Sequence, residues 1–94
     1  MEDQYLKMAK IFKALGDPKR IQILDLLAGG EKCACVLLES FHVSQPTLSH
    51  DMKQLIDAGI VRSRREGQRT IYSLNTEVIK GMQPLLVKIL QANQ

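Results

Sequence analysis

Tryptophan is absent from this 94-residue chain, and two Tyr and two Phe are its whole aromatic complement. Any core must therefore be built from Leu, Ile, Val and Met. No apolar run approaches the roughly 20 residues of a membrane span, so no membrane partner is expected. Neither a repeat period nor a low-complexity tract interrupts the chain. Histidine occurs only at His42 and His50, and no Gly-rich phosphate loop or nucleophile–base spacing appears. An enzyme is not expected. The residues begin Met-Glu-Asp, the wrong charge for a secretory signal, which points to a cytoplasmic protein.

What is present is one domain's worth of ordinary globular composition, 45% hydrophobic and 24% charged, and residues 1–94 are expected to form a single domain. The formal net charge is +3, and its distribution is uneven. Arg62, Arg64, Arg65 and Arg69 fall close together, opposed only by Glu66. Such a cluster is either a solvated loop or a phosphate-neutralising patch.

Cys33 and Cys35 are the only cysteines, one residue apart. A reducing compartment argues against a structural disulfide, as does the strain of bridging adjacent-but-one residues. Reduced thiols remain, as small core hydrophobes, as soft-metal ligands or as oxidisable sensors.

Apolar side chains at Tyr5, Met8, Ala9, Phe12 and Leu15 recur at the spacing of one helical face, broadened by Ile11. Asp17-Pro18 caps a second helix whose stripe is Ile21, Leu24, Leu27 and Ala28. A short third helix runs from about Cys33 to Phe41. A tight turn at His42-Val43 follows, then a fourth helix capped by Ser44, with Leu48, Met52, Leu55 and Ile56 facing inward. Two β-like runs, Ile60–Arg64 and Thr70–Leu74, flank a turn containing Gly67 and read as a hairpin. Residues 76–92 close as a helix that Pro84 should kink or delay. The pattern is a mainly α, α+β winged helix-turn-helix: four helices, a two-stranded wing and a terminal helix. The apolar stripes of the first and terminal helices exceed what a monomer needs, and predict a homodimer formed through those two helices.

On a wheel of about 100° per residue with Leu48 at zero, His50 lies at about 200° and Lys53 at about 140°, both away from the core. Gln45, Thr47 and Ser49 stand towards the N-terminal end, which enters the major groove in this fold. Gln pairs with adenine edges, and hydroxyls serve base or phosphate. Asp51 and Asp57 read as scattered acid on the exposed face. The plain alternative is a solvated helix face. The neighbouring arginines, Arg64, Arg65 and Arg69, favour the DNA reading, because base recognition and phosphate neutralisation are needed together.

Three segments, Glu31-Lys-Cys-Ala-Cys, Ser44-Gln-Pro-Thr-Leu-Ser-His50 and Arg65-Glu-Gly-Gln-Arg-Thr-Ile-Tyr72, resemble the ArsR/SmtB family of metal-sensing repressors. The resemblance spans about residues 6 to 75. It implies a homodimer that binds double-stranded DNA at an inverted-repeat operator and releases it when metal binds. It also implies DNA contacts by Gln45, Ser49 and His50, and a wing contact by Arg65 or Arg69. In the arsenic-responsive branch a Cys-x-Cys at the start of the third helix, often with a third Cys, binds As(III) or Sb(III). Cys33 and Cys35 match that pair, and Leu38 stands where the third would be. A cellular thiol, His42, Glu39 or the second subunit could complete the site. The zinc ligands that other members carry on the terminal helix have no counterpart, since Glu77 is the only acid or His beyond residue 75. No resident cofactor is implied. The alternatives are a thiol-based redox or reactive-sulfur sensor, a winged helix without an inducer, a protein-contact module and a metal-sequestering protein.

Residues i and i+2 of a helix lie about 200° apart, so both sulfurs can reach one ion only if the helix start is not helical. Ligand capture is therefore expected to unwind the start of the third helix and so disturb the helix above it. Lys32 and the helix N-terminus are expected to favour the thiolates.

Overall fold

In a computed structural model of the protein, which describes residues 2–93 with the side chain of Glu2 left aside, the chain runs through six helices and three strands. These are α1 (Glu2–Ala14), α2 (Pro18–Leu27), β1 (Lys32–Cys33), α3 (Ala34–Phe41), α4 (Gln45–Asp57), β2 (Val61–Glu66), β3 (Arg69–Leu74), α5 (Thr76–Lys80) and α6 (Gln83–Leu90). The winged helix-turn-helix expected from the pattern is present, with two differences in element count.

The first is β1. Its two residues pair antiparallel with β3, placing Lys32 opposite Tyr72 and Cys33 opposite Ile71 and giving a three-stranded sheet of order β1-β3-β2. The second is a break in the terminal helix. Pro84 cannot donate a backbone hydrogen bond and its ring disfavours a helix continuing from Lys80, so α5 stops there and Pro84 sits in the first turn of α6. The proline effect was legible; its resolution into two helices was not.

Capping follows the sequence. Asp17 Oδ1 accepts from the Lys19 amide at 2.7 Å, with Pro18 in the first turn. Ser44 Oγ accepts from the Thr47 amide at 3.3 Å. His42, at φ 51° and ψ 41°, takes the left-handed conformation that turns α3 into α4. Gly67, at φ +65°, opens the two-residue wing turn, a conformation that suits glycine.

Six side chains, Ile23, Leu37, Leu48, Met52, Leu55 and Ile60, are fully enclosed. Each contributes roughly 1.5–3 kcal/mol by leaving water. Around them lie Ile11, Ala14, Leu27, Val61, Tyr72 and Met82. Two stripes differ from expectation. On α2 the core takes Ile23 and Leu27, an i, i+4 pair, while Ile21 lies outside. On α1 the core takes Ile11 and Ala14, with Met8 and Leu15 packed beside them, while Tyr5, Leu6 and Phe12 stay exposed. The apolar face of α1 is wider than the rest of the chain can cover. Leu86, Val87, Ile89 and Leu90 of α6 are likewise exposed. Among the described residues no helix is long and apolar enough to cross a membrane.

Candidate functional site

On α4 the core stripe Leu48, Met52 and Leu55 turns the opposite face outward, and Gln45, Thr47, Ser49, His50 and Lys53 are all exposed. Two of these have local partners. The Ser44 hydroxyl donates to Thr47 Oγ1 at 2.9 Å, so Thr47 shares in the helix cap. Lys53 Nζ lies 3.0 Å from Asp57 Oδ2, an exposed i, i+4 pair of small energetic weight that yields readily to another anion.

Asp51 is not on that face. It is 3% exposed, with Lys19 Nζ 2.8 Å from Oδ2 and Arg20 Nη1 3.3 Å from Oδ1. Arg20 also donates from Nε to the Ala14 carbonyl. One carboxylate on α4 thus ties down two cations of α2 and, through Arg20, the end of α1. Its place beside the apolar stripe explains this: three residues beyond Leu48, it points at a neighbouring helix rather than at solvent.

The wing arginines divide. Arg64 is held by Glu31, with Nη1–Oε2 2.6 Å and Nη2–Oε1 2.8 Å, and by Glu66 at 2.9 Å. Hydrogen bonding from Arg64 lowers the Glu31 carboxyl below its ordinary range. Hydrogen bonds to Glu31 and then Glu66 raise the guanidinium further still. Among the described residues Arg65 donates only to Thr70 Oγ1, at 3.3 Å. Among the described residues neither Arg65 nor Arg69 has a carboxylate partner.

Cys33 and Cys35 are joined in a disulfide, which corrects the expectation of two reduced thiols. The reason lies in the pairing of β1 with β3. Cys33 is extended, at φ −76° and ψ 158°, and forms the N-cap of α3 rather than its first turn. The Cα atoms are 5.2 Å apart, an ordinary bridging distance, and both sulfurs project to one point. The opposition expected of helical i, i+2 positions does not arise, and no unwinding is needed to bring the sulfurs together. Cys33 is 4% exposed, whereas Cys35 is open to solvent. Lys32 does not face the sulfurs as its bonded partner; its Nζ donates to the Gly30 carbonyl at 3.0 Å.

Cys33 and Cys35 line a cleft of about 250 Å³, shared with Gln45 of α4 and with Arg65, Gln68 and Arg69 of the wing. Three parts of the sequence reading therefore meet at one place. His50, Lys53 and Arg64 lie outside the cleft, as do Glu39 and His42. Gln68 and the Glu31 clamp were not foreseen. Glu31 sits in a segment singled out for its cysteines, and only the pairing of β1 with β3 shows why its carboxylate reaches the wing. Among the described residues, no group of three His, Cys, Asp or Glu side chains could hold a metal ion.

A recognition helix with a polar outer face, flanked by a basic two-stranded wing, defines a winged helix-turn-helix regulator. Residues 17–63 match the family described as bacterial regulatory protein, arsR family, and the chain belongs to that family. It is 52% identical over 75 residues to the arsenical resistance operon repressor of Staphylococcus xylosus, an alignment covering 80% of this chain and 72% of that one. Among solved structures it is similar to HlyU from Vibrio cholerae N16961, with TM-score 0.77, 31% identity, and coverage of 99% of this chain and 100% of that one. It also resembles the homodimeric winged helix-turn-helix DNA-binding domain from Mycobacterium bovis, with TM-score 0.73, 30% identity, and coverage of 94% and 82%.

Proposed function

We propose that residues 1–94 act as a single cytoplasmic DNA-binding domain that dimerises, represses transcription from an inverted-repeat operator, and leaves it when As(III) or Sb(III) is captured by Cys33 and Cys35. The observation that carries this reading is the shared cleft: both cysteines, one recognition-helix residue and two wing arginines line it. The relationship to an arsenical resistance operon repressor supports the choice of metalloid.

Gln45, Ser49 and His50 read base edges, Thr47 and Lys53 meet the backbone, and Arg65 and Arg69 neutralise phosphates. Arg64 serves the wing by bracing β2 against Glu31 and is a lesser DNA contact than its neighbours. The exposed apolar faces of α1 and α6 join the two subunits, as expected of a relative of a homodimeric domain. The donor set fits the metalloid: two sulfurs at one point, once reduced, are soft ligands for a soft ion. The metalloid is an inducer and not a resident cofactor. Because Cys33 lies in β1 and outside the helix, coupling proceeds through the cleft and the β1–β3 pairing, with no melting of α3.

The test is fluorescence anisotropy of the reduced protein on a duplex that it selects from a random-sequence library. Arsenite should weaken binding by about 5–150-fold, the usual span of an allosteric coupling. The Cys33→Ser/Cys35→Ser variant should bind the duplex and ignore arsenite. Equal release of that variant refutes the proposal.

A further inference from the structure

Two sulfurs leave a trivalent metalloid one bond short, and among the described residues no third sulfur, imidazole or carboxylate stands beside them. Leu38, not a ligand, lines the cleft on the α3 side, and among the described residues no third His, Cys, Asp or Glu joins the pair. What adjoins the sulfurs instead is positive charge. Arg65 and Arg69 line the cleft with Gln45, Gln68 and Thr70, and no acidic side chain lines it. The contrast with Arg64 is informative, since that guanidinium is fully engaged by two carboxylates while the two cleft arginines have none. A guanidinium fork is matched to a carboxylate, which it can hold with two parallel hydrogen bonds. At about 250 Å³ the cleft is several times the roughly 30 Å³ share of one water molecule, enough for a small organic molecule.

From this we infer that a small anionic monothiol completes the metalloid site, its sulfur on the ion and its carboxylate on Arg65 and Arg69. The inference rests on the metalloid reading above. Two equivalents of such a thiol first reduce the Cys33–Cys35 bond, becoming the thiol's own disulfide. Arsenous acid, As(OH)₃, then exchanges its three hydroxyls for Cys33, Cys35 and one external sulfur. Each hydroxyl leaves as water with one S–H proton, and arsenic stays trivalent throughout. The carboxylate also takes the two arginines away from DNA phosphate, so the same ligand that closes the site weakens the wing's hold on the operator.

The experiment compares 3-mercaptopropionate, 2-mercaptoethanol and cysteamine, which are anionic, neutral and cationic monothiols, each with arsenite and the reduced full chain. Native mass spectrometry reads the adduct, and the near-ultraviolet sulfur-to-arsenic absorption reads affinity. A 1:1:1 complex of subunit, arsenic and 3-mercaptopropionate is expected, about 5–10-fold tighter than with the neutral thiol. The Arg65→Gln/Arg69→Gln variant should still capture arsenic but lose that preference. Equal affinity with all three thiols, or an adduct holding arsenic without thiol, overturns the inference and leaves the metalloid site standing. Absence of arsenic from every adduct overturns both.

Discussion

Cys33 stands directly opposite Ile71 in an antiparallel pair, so the buried member of the Cys33–Cys35 pair belongs to the wing sheet. Ile71 is in turn opposite Arg64, which grips Glu31, two residues before Cys33. The segment that carries the thiols is thus fastened to the wing twice, once through backbone and once through side chains. After reduction, drawing both sulfurs onto one ion is expected to shift Cys33, Cys35 or both. Cys33 cannot move without the middle strand of the wing.

The two cysteines should be separable by stability but not by response. Cys33→Ser places a hydroxyl in a buried position and should cost about 1–3 kcal/mol in urea denaturation of the reduced protein. Cys35→Ser changes an exposed side chain and should fall within about 0.5 kcal/mol of the reduced parent. Both should abolish release of DNA by arsenite. Retained release in either variant shows that one sulfur suffices.

Oxidation state should gate the site. With both sulfurs in the Cys33–Cys35 bond there is no thiolate to offer a soft ion. Protein oxidised with diamide should bind no arsenite by equilibrium dialysis, and dithiothreitol should restore binding. Stoichiometric arsenite on the oxidised chain contradicts this.

Among the wing arginines, salt dependence should discriminate. Each phosphate contact contributes about 0.9 to the slope of log K against log salt. Arg65→Ala and Arg69→Ala should each reduce the slope by about one contact per subunit on non-specific duplex DNA. Arg64→Ala should leave it nearly unchanged, because that guanidinium is spoken for by Glu31 and Glu66. An equal loss for all three would make Arg64 a full DNA contact.

Asp51→Asn removes the charge that holds Lys19 and Arg20 while keeping the side-chain shape. Breaking a buried pair costs about 3–5 kcal/mol, and the partial exposure of both cations reduces the expected loss to about 2–3 kcal/mol. For a chain of this size that is a fall of roughly 10–20 °C in Tm. A thermal melt with Tm unchanged would show the triad to be ornamental.

What could be read from sequence was whatever leaves a periodic or capping trace. Ser44, Asp17 and the Leu48–Met52–Leu55 stripe each announced their element, and Pro84 announced a break. The missed features depend on partners distant in sequence. A strand of two residues, Lys32–Cys33, is too short to show alternation, and only β3 makes it a strand. That pairing holds Cys33 in the extended conformation, which is why the opposed sulfurs expected of a helix became a bonded pair. Asp51 looked like surface because its cations lie 31 and 32 positions earlier, and Ile21 looked like core because periodicity cannot say which of two apolar sides of α2 meets α4. Gln45, Arg65 and Arg69 were expected to face DNA; their convergence on the cysteines left no trace in the sequence.

Hydrogen–deuterium exchange of the reduced protein, with and without arsenite, tests the coupling most directly. The account predicts altered protection at Lys32–Cys33 and at Ile71–Tyr72 across the pairing, with the amides of α3 keeping theirs. Loss of protection along α3, with the β1–β3 pairing untouched, would contradict it and return the mechanism to a melted helix beneath the DNA reader.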